Sequence, residues 1–125
     1  MTENELAKEI VNASYKIHSS LGPGLLESVY EMTLAYELQK RGINVIKQQP
    51  LPVVYETIRM EMGFRVDLMV GGKVIVEIKS IDAVSPVHRK QLLTYLRLTG
   101  KRLGLPINFN VELIRDGITR VVNKL

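Results

Sequence analysis

The spacing of apolar residues predicts two helices at the start of the chain. Residues 4–20 are expected to form the first, whose apolar stripe repeats every three or four residues and consists of Leu6, Ile10, Ala13, Ile17 and, just beyond, Leu21. Gly22-Pro23-Gly24 ends that helix, and Pro23 suits the first turn of the next. The second helix is expected to run to Gly42, with a broad apolar face of Leu25, Leu26, Val29, Tyr30, Leu34 and Leu38.

After Gly42 the pattern changes to that of strands, with one further helix from the Ser85-Pro86 cap to Gly100. Strands are expected at residues 43–47, 53–55, 64–70, 73–80, 105–110, 111–114 and 118–122. Two prolines before residue 53 favour a sheet edge there, and the last two strands predict a terminal hairpin. This order predicts one α+β domain over residues 1–125, with a mixed sheet covered by helices.

Composition narrows the class of protein. A chain of 125 residues with 46% hydrophobic and 24% charged residues fits one folded domain. The sequence has no cysteine, which excludes disulfides and thiolate chemistry and favours the cytoplasm. No window approaches the roughly 18 apolar residues of a membrane span, and no secretion signal is expected. The net charge of +4 leans only slightly toward a polyanionic partner.

Charged residues interrupt the apolar strands of the segment from Gly63 to Ser80. Glu77 and Lys79 are two residues apart and therefore project from the same face of a strand. The turn at Gly71-Gly72 decides whether Asp67 joins them. A two-residue loop would pair Asp67 with Val76, whereas a three-residue loop places Asp67 opposite Glu77. We predict the longer loop or a bulge.

Two carboxylates facing each other across strands repel, and a divalent cation removes that penalty. Oxygen ligands of this kind suit Mg²⁺, with Mn²⁺ as an alternative. Lys79 on the same face would position the attacking water or stabilise the transition state of phosphodiester cleavage. The competing interpretation is a solvated ion-pair face on an amphipathic hairpin. Apolar residues at nearly every other position favour instead a central strand covered on both sides.

Asp67 followed by Glu77-Ile78-Lys79 resembles the PD-(D/E)xK nuclease signature, with Val66 where the signature often has proline. The segment from Gly24 to Tyr30 matches, letter for letter, the pattern that gives the small prokaryotic GxxExxY proteins their name. That family is assigned to the same superfamily. The similarity extends over nearly the whole chain, including His88, Gln91, Tyr95 and residues 105–109.

The resemblance implies a restriction-endonuclease-like three-layer fold and Mg²⁺-dependent cleavage of nucleic acid, with DNA as the expected substrate. It implies metal ligands from Asp67, Glu77, the Ile78 carbonyl and Glu27, with Lys79 activating water and Gln91 orienting the site. Glu27 is also explained by the preference of acids for a first helical turn, and Glu31, one turn later, is a second candidate. Tyr95 is expected to support Gln91. Tyr30 either packs under Glu27 or fills the core, and its helical spacing favours the core.

Three basic clusters could follow a phosphate backbone, namely Lys40-Arg41, Arg89-Lys90 and Arg97/Lys101-Arg102. The predicted contact residues come from two of them, Arg89-Lys90 and Lys101-Arg102. Each also suits an ordinary exposed helix end. Because a domain this small has little surface for gripping DNA, a homodimer or a partner protein is a further expectation. The alternative function is a noncatalytic nucleic-acid-binding or assembly module that keeps the nuclease fold.

Overall fold

The computed structural model describes residues 1–125 and begins with two helices, α1 (Glu3–Leu21) and α2 (Glu27–Lys40). Thr2 caps α1: its side chain accepts a hydrogen bond from the Glu5 amide, and the Glu5 carboxylate accepts one from the Thr2 amide. No segment of this fold is a helix long and apolar enough to cross a bilayer.

The predicted start of α2 at Pro23 is wrong, because the helix begins only at Glu27. Gly22 and Gly24 both have positive φ angles, 72° and 95°, and a helix cannot contain this conformation. Of the apolar face predicted for this helix, Tyr30, Leu34 and Leu38 are buried, whereas Leu25, Leu26 and Val29 remain exposed. The connection between the helices is therefore a five-residue turn, residues 22–26, rather than a helix start.

One five-stranded sheet follows, with the strand order β1-β2-β3-β4-β5. Its elements are β1 (Val45–Tyr55), β2 (Ile58–Val70), β3 (Val74–Lys79), α3 (Pro86–Thr99), β4 (Leu103–Asn108), a 3-10 turn (Ile114–Asp116) and β5 (Val121–Val122). All neighbouring strands are antiparallel except β3 and β4, which are parallel. The predicted mixed sheet is confirmed.

Two strand predictions need correction at the edge of the sheet. The strands predicted at 43–47 and 53–55 form one strand, β1, which starts at Val45, because a bulge between Leu51 and Val53 accommodates Pro52 without ending the pairing with β2. Strand β2 also starts six residues before Phe64, since its first half pairs with the second half of β1. The edge position that the prolines favoured is confirmed.

The predicted terminal hairpin is wrong. Its first half contains a 3-10 turn that carries Ile114 into the core, and only Val121 and Val122 pair as a strand. Gly117 donates its amide hydrogen to Ile114, and its carbonyl accepts the Asn108 amide. A side chain at residue 117 would collide with the Asn108 carbonyl, so only glycine permits this close approach to β4.

The helices cover both faces of the sheet. Helices α1 and α2 pack on one face, where Val74, Val76 and Ile78 of β3 join the larger apolar cluster. Helix α3 covers the other face, where Leu92 and Leu96 meet Ile75. Strand β3 is thus central and covered on both sides, and Glu77 and Lys79 project toward the α3 side.

Candidate active site

The turn between β2 and β3 has three residues, because Val70 pairs with Val74. This confirms the longer loop, and the same register places Asp67 opposite Glu77 at the point where the ladder ends. Beyond Leu68 and Val76 the strands no longer pair. The Oδ2 atom of Asp67 instead accepts the main-chain hydrogen of Ile78 at 2.8 Å. The aspartate side chain therefore lies against β3, where the two strands separate.

Glu77 is the least compensated acid in the sheet. Its Oε1 atom is buried and has no hydrogen-bond partner. Burial, followed by the charge and hydrogen bonding of Asp67, raises the pKa of Glu77 to about 9, and the charge of Lys79 offsets only part of this rise. Without a cation this carboxyl group holds a proton at neutral pH.

Lys79 is two residues from Glu77, on the same strand and half-buried. The four salt bridges of the protein involve Lys16, Lys40, Arg41 and Arg59, so the Lys79 ammonium forms none of them. The intervening Ile78 buries its side chain toward α1 and α2 and gives its amide hydrogen to Asp67. Its carbonyl oxygen stays a predicted metal ligand.

Of the two α2 glutamates considered as ligands, Glu31 rather than Glu27 is connected to Asp67. Glu27 is exposed in the first turn, and its role as a ligand stays a prediction. Glu31 is half-buried, and burial raises its pKa with a further contribution from the Asp67 charge. No three acidic or histidine side chains converge tightly enough to hold a metal ion by themselves. The site therefore offers the facing pair Asp67 and Glu77.

Gln48 of β1 joins Glu31 to Asp67 and was not anticipated from the sequence. Its Nε2 atom donates to Oε1 of Glu31 at 2.5 Å and to Oδ1 of Asp67 at 3.2 Å. Gln48 has a left-handed backbone, with φ of 51°, inside a strand. Strand periodicity gives no signal for such a residue, and the sequence pattern marked it only as an interruption.

The α3 residues lie on the same side as Glu77. Tyr95 stacks on Phe64, with ring centroids 4.2 Å apart. Burial and then the charges of Glu77 and Asp67 raise the pKa of Tyr95, while a hydrogen bond from Gln91 lowers it. Gln91 is exposed at this position, and its orienting role stays a prediction. His88 is explained by capping: its Nδ1 accepts the Ser85 amide at the start of α3.

Tyr30 is fully buried and stacks on Phe109, which confirms the core interpretation. Its hydroxyl also accepts the Leu25 amide and donates to the Gly22 carbonyl at 2.6 Å. The Ser80 hydroxyl, one residue after Lys79, donates to the Leu25 carbonyl. These hydrogen bonds connect the turn at residues 22–26 to α2 and to the end of β3. They therefore fix the position at which α2 begins.

The basic clusters lie at opposite ends of the sheet. Arg89 and Lys90 are exposed near the start of α3, close in sequence to the end of β3. Lys101 donates to the Gly72 carbonyl, and Arg102 precedes β4, at the end where β3 begins. At about 3.3 Å per strand residue, that end is roughly 20 Å from Lys79. Binding of nucleic acid by either cluster stays a prediction.

A cavity of about 590 Å³ lies elsewhere, and its lining includes Tyr15, His18 and Arg115 but no site carboxylate. His18 is accounted for there by a 2.8 Å hydrogen bond with the Val111 carbonyl. We place the candidate site at Asp67 and Glu77 because an orphaned buried oxygen and a facing acid are chemically specific, whereas cavity size is not.

A mixed central sheet between two helical layers is a restriction-endonuclease-like α+β fold. The chain belongs to the PD-(D/E)XK nuclease superfamily, whose family model matches residues 4–121. This membership supports a nuclease-like function, implies a nucleic acid as substrate, and places the chain among nucleases that generally use divalent metals.

Among solved structures, an alkaline exonuclease (LHK-Exo) from Laribacter hongkongensis is similar, with a TM-score of 0.48 and 18% sequence identity. The alignment covers 99% of this chain and 73% of that chain. No curated protein matches the sequence significantly.

Proposed function

We propose that the protein is a Mg²⁺-dependent nuclease that hydrolyses phosphodiester bonds, with DNA as its substrate and Mn²⁺ as an alternative metal. The observation that carries the proposal is the buried, unpartnered Oε1 of Glu77, opposite Asp67 and beside the unpaired Lys79. Such an acid is costly to the folded chain unless a ligand satisfies it.

The residues present fit a hard divalent cation. Mg²⁺ typically takes one or two carboxylates, keeps several waters and accepts phosphate oxygens, and the pair Asp67 and Glu77 supplies that number. The Ile78 carbonyl is the proposed main-chain ligand, and Glu27 or Glu31 contributes from α2. When bound, the metal would acidify a water ligand and neutralise charge on the phosphate.

The chain's own residues have separate roles in this proposal. Asp67 is held by the Ile78 amide, whereas Glu77 would have to release its proton to hold the cation, as metal ligands generally must. The Lys79 ammonium, free of salt bridges, holds the attacking water or the phosphate oxygens that gain charge. Gln91 orients the site from α3, and Tyr95, stacked on Phe64, supports it.

We further place the chain in the GxxExxY group, because Tyr30 and the Gly22–Leu25 turn give the motif a structural reason. Gly24 supplies a positive φ in this turn, Tyr30 hydrogen-bonds the turn at Gly22 and Leu25, and Glu27 is the first residue of α2. A cytoplasmic location suits the absence of cysteine. A homodimer or a partner protein would enlarge the surface for DNA.

A cleavage screen tests the proposal. Purified protein is incubated with single-stranded, duplex and branched DNA and with RNA, in Mg²⁺, in Mn²⁺ and in EDTA. We expect metal-dependent cleavage that Lys79→Ala abolishes and that the control Lys8→Ala, at an exposed position of α1, retains. The proposal fails if the wild type cuts none of these substrates, or if Lys79→Ala cuts as well as the wild type.

A second candidate is a noncatalytic nucleic-acid-binding module. The observation in its favour is that no third acid converges on Asp67 and Glu77. Salt-sensitive DNA binding that is indifferent to metal and to Lys79→Ala, in protein without cleavage activity, would identify this function.

A further inference from the structure

Gln48 has a backbone conformation that a strand residue rarely adopts. Three non-glycine residues have positive φ: Gln48, Glu56 and Lys124. Glu56 lies in the tight turn between β1 and β2, and Lys124 lies next to the end of the chain, where such angles are ordinary. Gln48 is within β1, directly before the paired residue Gln49, so its left-handed backbone is unfavourable and requires compensation.

The left-handed backbone is accompanied by a particular placement of the side chain. Lys47 pairs with Leu68 and Gln49 pairs with Val66, so Gln48 stands opposite Asp67 where the ladder is interrupted. The two hydrogens of its Nε2 atom serve one acid each, Glu31 on α2 and Asp67 on β2. One neutral amide therefore connects two acids from different layers of the fold.

These contacts complete the restraint of Asp67. Its Oδ2 atom is held by the Ile78 amide at 2.8 Å and its Oδ1 atom by Gln48 at 3.2 Å. Both oxygens keep further lone pairs, but the orientation of the carboxylate is set from two sides. Glu77 has no comparable restraint on Oε1.

We propose that Gln48 is a positioning residue of the metal site, whose amide orients Asp67 and brings Glu31 beside it. This inference rests on the proposed function, because it assumes that Asp67 binds the metal. Residues that orient metal ligands without touching the metal typically change affinity by 10–100-fold when replaced.

Two substitutions distinguish the effect of the Gln48 side-chain amide from the effect of its left-handed backbone. Gln48→Met keeps the length of the side chain and the strained backbone but removes both donors. Gln48→Gly also removes the donors, and it relieves the strain because glycine accepts this φ. The matched controls are Gln39→Met, at an exposed position of α2, and Glu56→Gly, which relieves a left-handed residue away from the site.

The measurement is the Mn²⁺ affinity by calorimetry, which does not depend on activity, together with the melting temperature of the metal-free protein. We expect both Gln48 variants to raise the Kd for Mn²⁺ by about 10–100-fold, with Gln48→Gly melting no lower than the wild type. Both controls should bind Mn²⁺ with the wild-type Kd.

A Kd within twofold of the wild type for Gln48→Gly, when Asp67→Asn abolishes binding, would overturn the positioning role and leave the proposed function intact. Loss of affinity in Gln48→Met alone would also overturn it, because backbone strain rather than the amide would then matter. If the wild type binds no Mn²⁺, or Asp67→Asn binds it normally, the metal site and this inference both fail.

Discussion

Glu37 and Glu77 both have side chains that are largely removed from solvent, but their surroundings differ in the charges that face the carboxyl group. The Glu37 side chain is 12% exposed, and it forms salt bridges with Lys16 at 3.2 Å and Lys40 at 3.5 Å. Burial alone would raise the pKa of Glu37, but the hydrogen bonds and charges of the two lysines lower it. This acid is balanced by its own chain.

Glu77 faces another acid. Burial and Asp67 raise its pKa, the Lys79 charge is too weak to reverse the shift, and one oxygen has no partner. Glu37 on α2 has two lysine partners, whereas Glu77 in the sheet has no salt bridge. The difference supports the proposed role of Glu77 as a metal ligand, whereas the ion pairs of Glu37 fit a structural role.

Replacing each glutamate with glutamine should give the largest difference between the two acids in a cleavage assay. Glu77→Gln removes a proposed metal ligand, so metal-dependent cleavage should fall by more than about 100-fold, beyond the usual effect of an indirect residue. Glu37→Gln should stay within about twofold of the wild type, since the ion pairs of the Glu37 carboxylate are with Lys16 and Lys40 and not with the site residues. Equal activity of the two variants would remove the distinction between the acids.

The pH dependence of stability should carry opposite signs for the two acids. Folded Glu77 keeps its proton up to about pH 9, whereas the unfolded chain releases it near the ordinary pKa of 4.5. Between these values the folded state binds more protons, so the free energy of unfolding falls as pH rises, by at most about 1.4 kcal/mol per pH unit. The lowered pKa of Glu37 has the reverse effect, which is confined to pH values below its ordinary pKa.

Urea unfolding of metal-free protein at about pH 5 and about pH 8 checks this sign. The wild type should be less stable at the higher pH, and Mg²⁺ should recover stability there. Glu77→Gln should flatten most of the dependence, with a residual slope from Glu31, whose pKa is also raised by burial. Wild-type protein that gains stability on going from pH 5 to pH 8 would contradict the prediction.

The free energy of unfolding at neutral pH should show the structural contribution of Glu37. Glu37→Gln leaves Lys16 and Lys40 without their partner, but both lysines are about half exposed and can be hydrated. We therefore expect a loss of about 1–2 kcal/mol rather than the larger cost of stranding a buried charge. The variant Glu9→Gln should cost less in the same unfolding measurement, because the Glu9 side chain is 35% exposed and pairs with one cation, Arg41, rather than two.

The grouping of Asp67, Glu77 and Lys79 could be predicted from the sequence because two simple rules apply to this hairpin. Side chains alternate along a strand, and the length of one turn decides which residues face each other. Val70 and Val74 pair as expected, so the uncertainty was a single register. The mixed sheet was predictable from the order of the elements, because strands preceded and followed by helices favour a mixed sheet covered by helices.

The contribution of α2 could not be predicted in the same way. A helix presents a residue according to where the helix begins, and α2 begins four residues after Pro23 because two glycines take positive φ. That start connects Glu31, rather than Glu27, with Asp67. The connection also needs Gln48 in a left-handed conformation within β1, which local propensity argues against.

Basic residues near Glu77 should contribute more to nucleic-acid binding than basic residues at the far end of the sheet. Arg89 and Lys90 are at the end where β3 finishes, whereas Lys101 and Arg102 are near Gly72. Replacing the first pair with glutamine should reduce the salt slope of DNA binding by about 2, at roughly 0.9 per phosphate contact. The second pair, replaced in the same way, should leave the slope unchanged.

Fluorescence anisotropy of a labelled DNA duplex in EDTA, titrated over a range of salt, measures both slopes without cleavage. Because the two double variants remove the same formal charge, the global charge of +4 falls equally and cannot produce a difference between them. Equal loss of slope would mean that the domain binds DNA through its net charge alone. A larger loss from Lys101 and Arg102 would place the DNA at the far end of the sheet, away from Glu77.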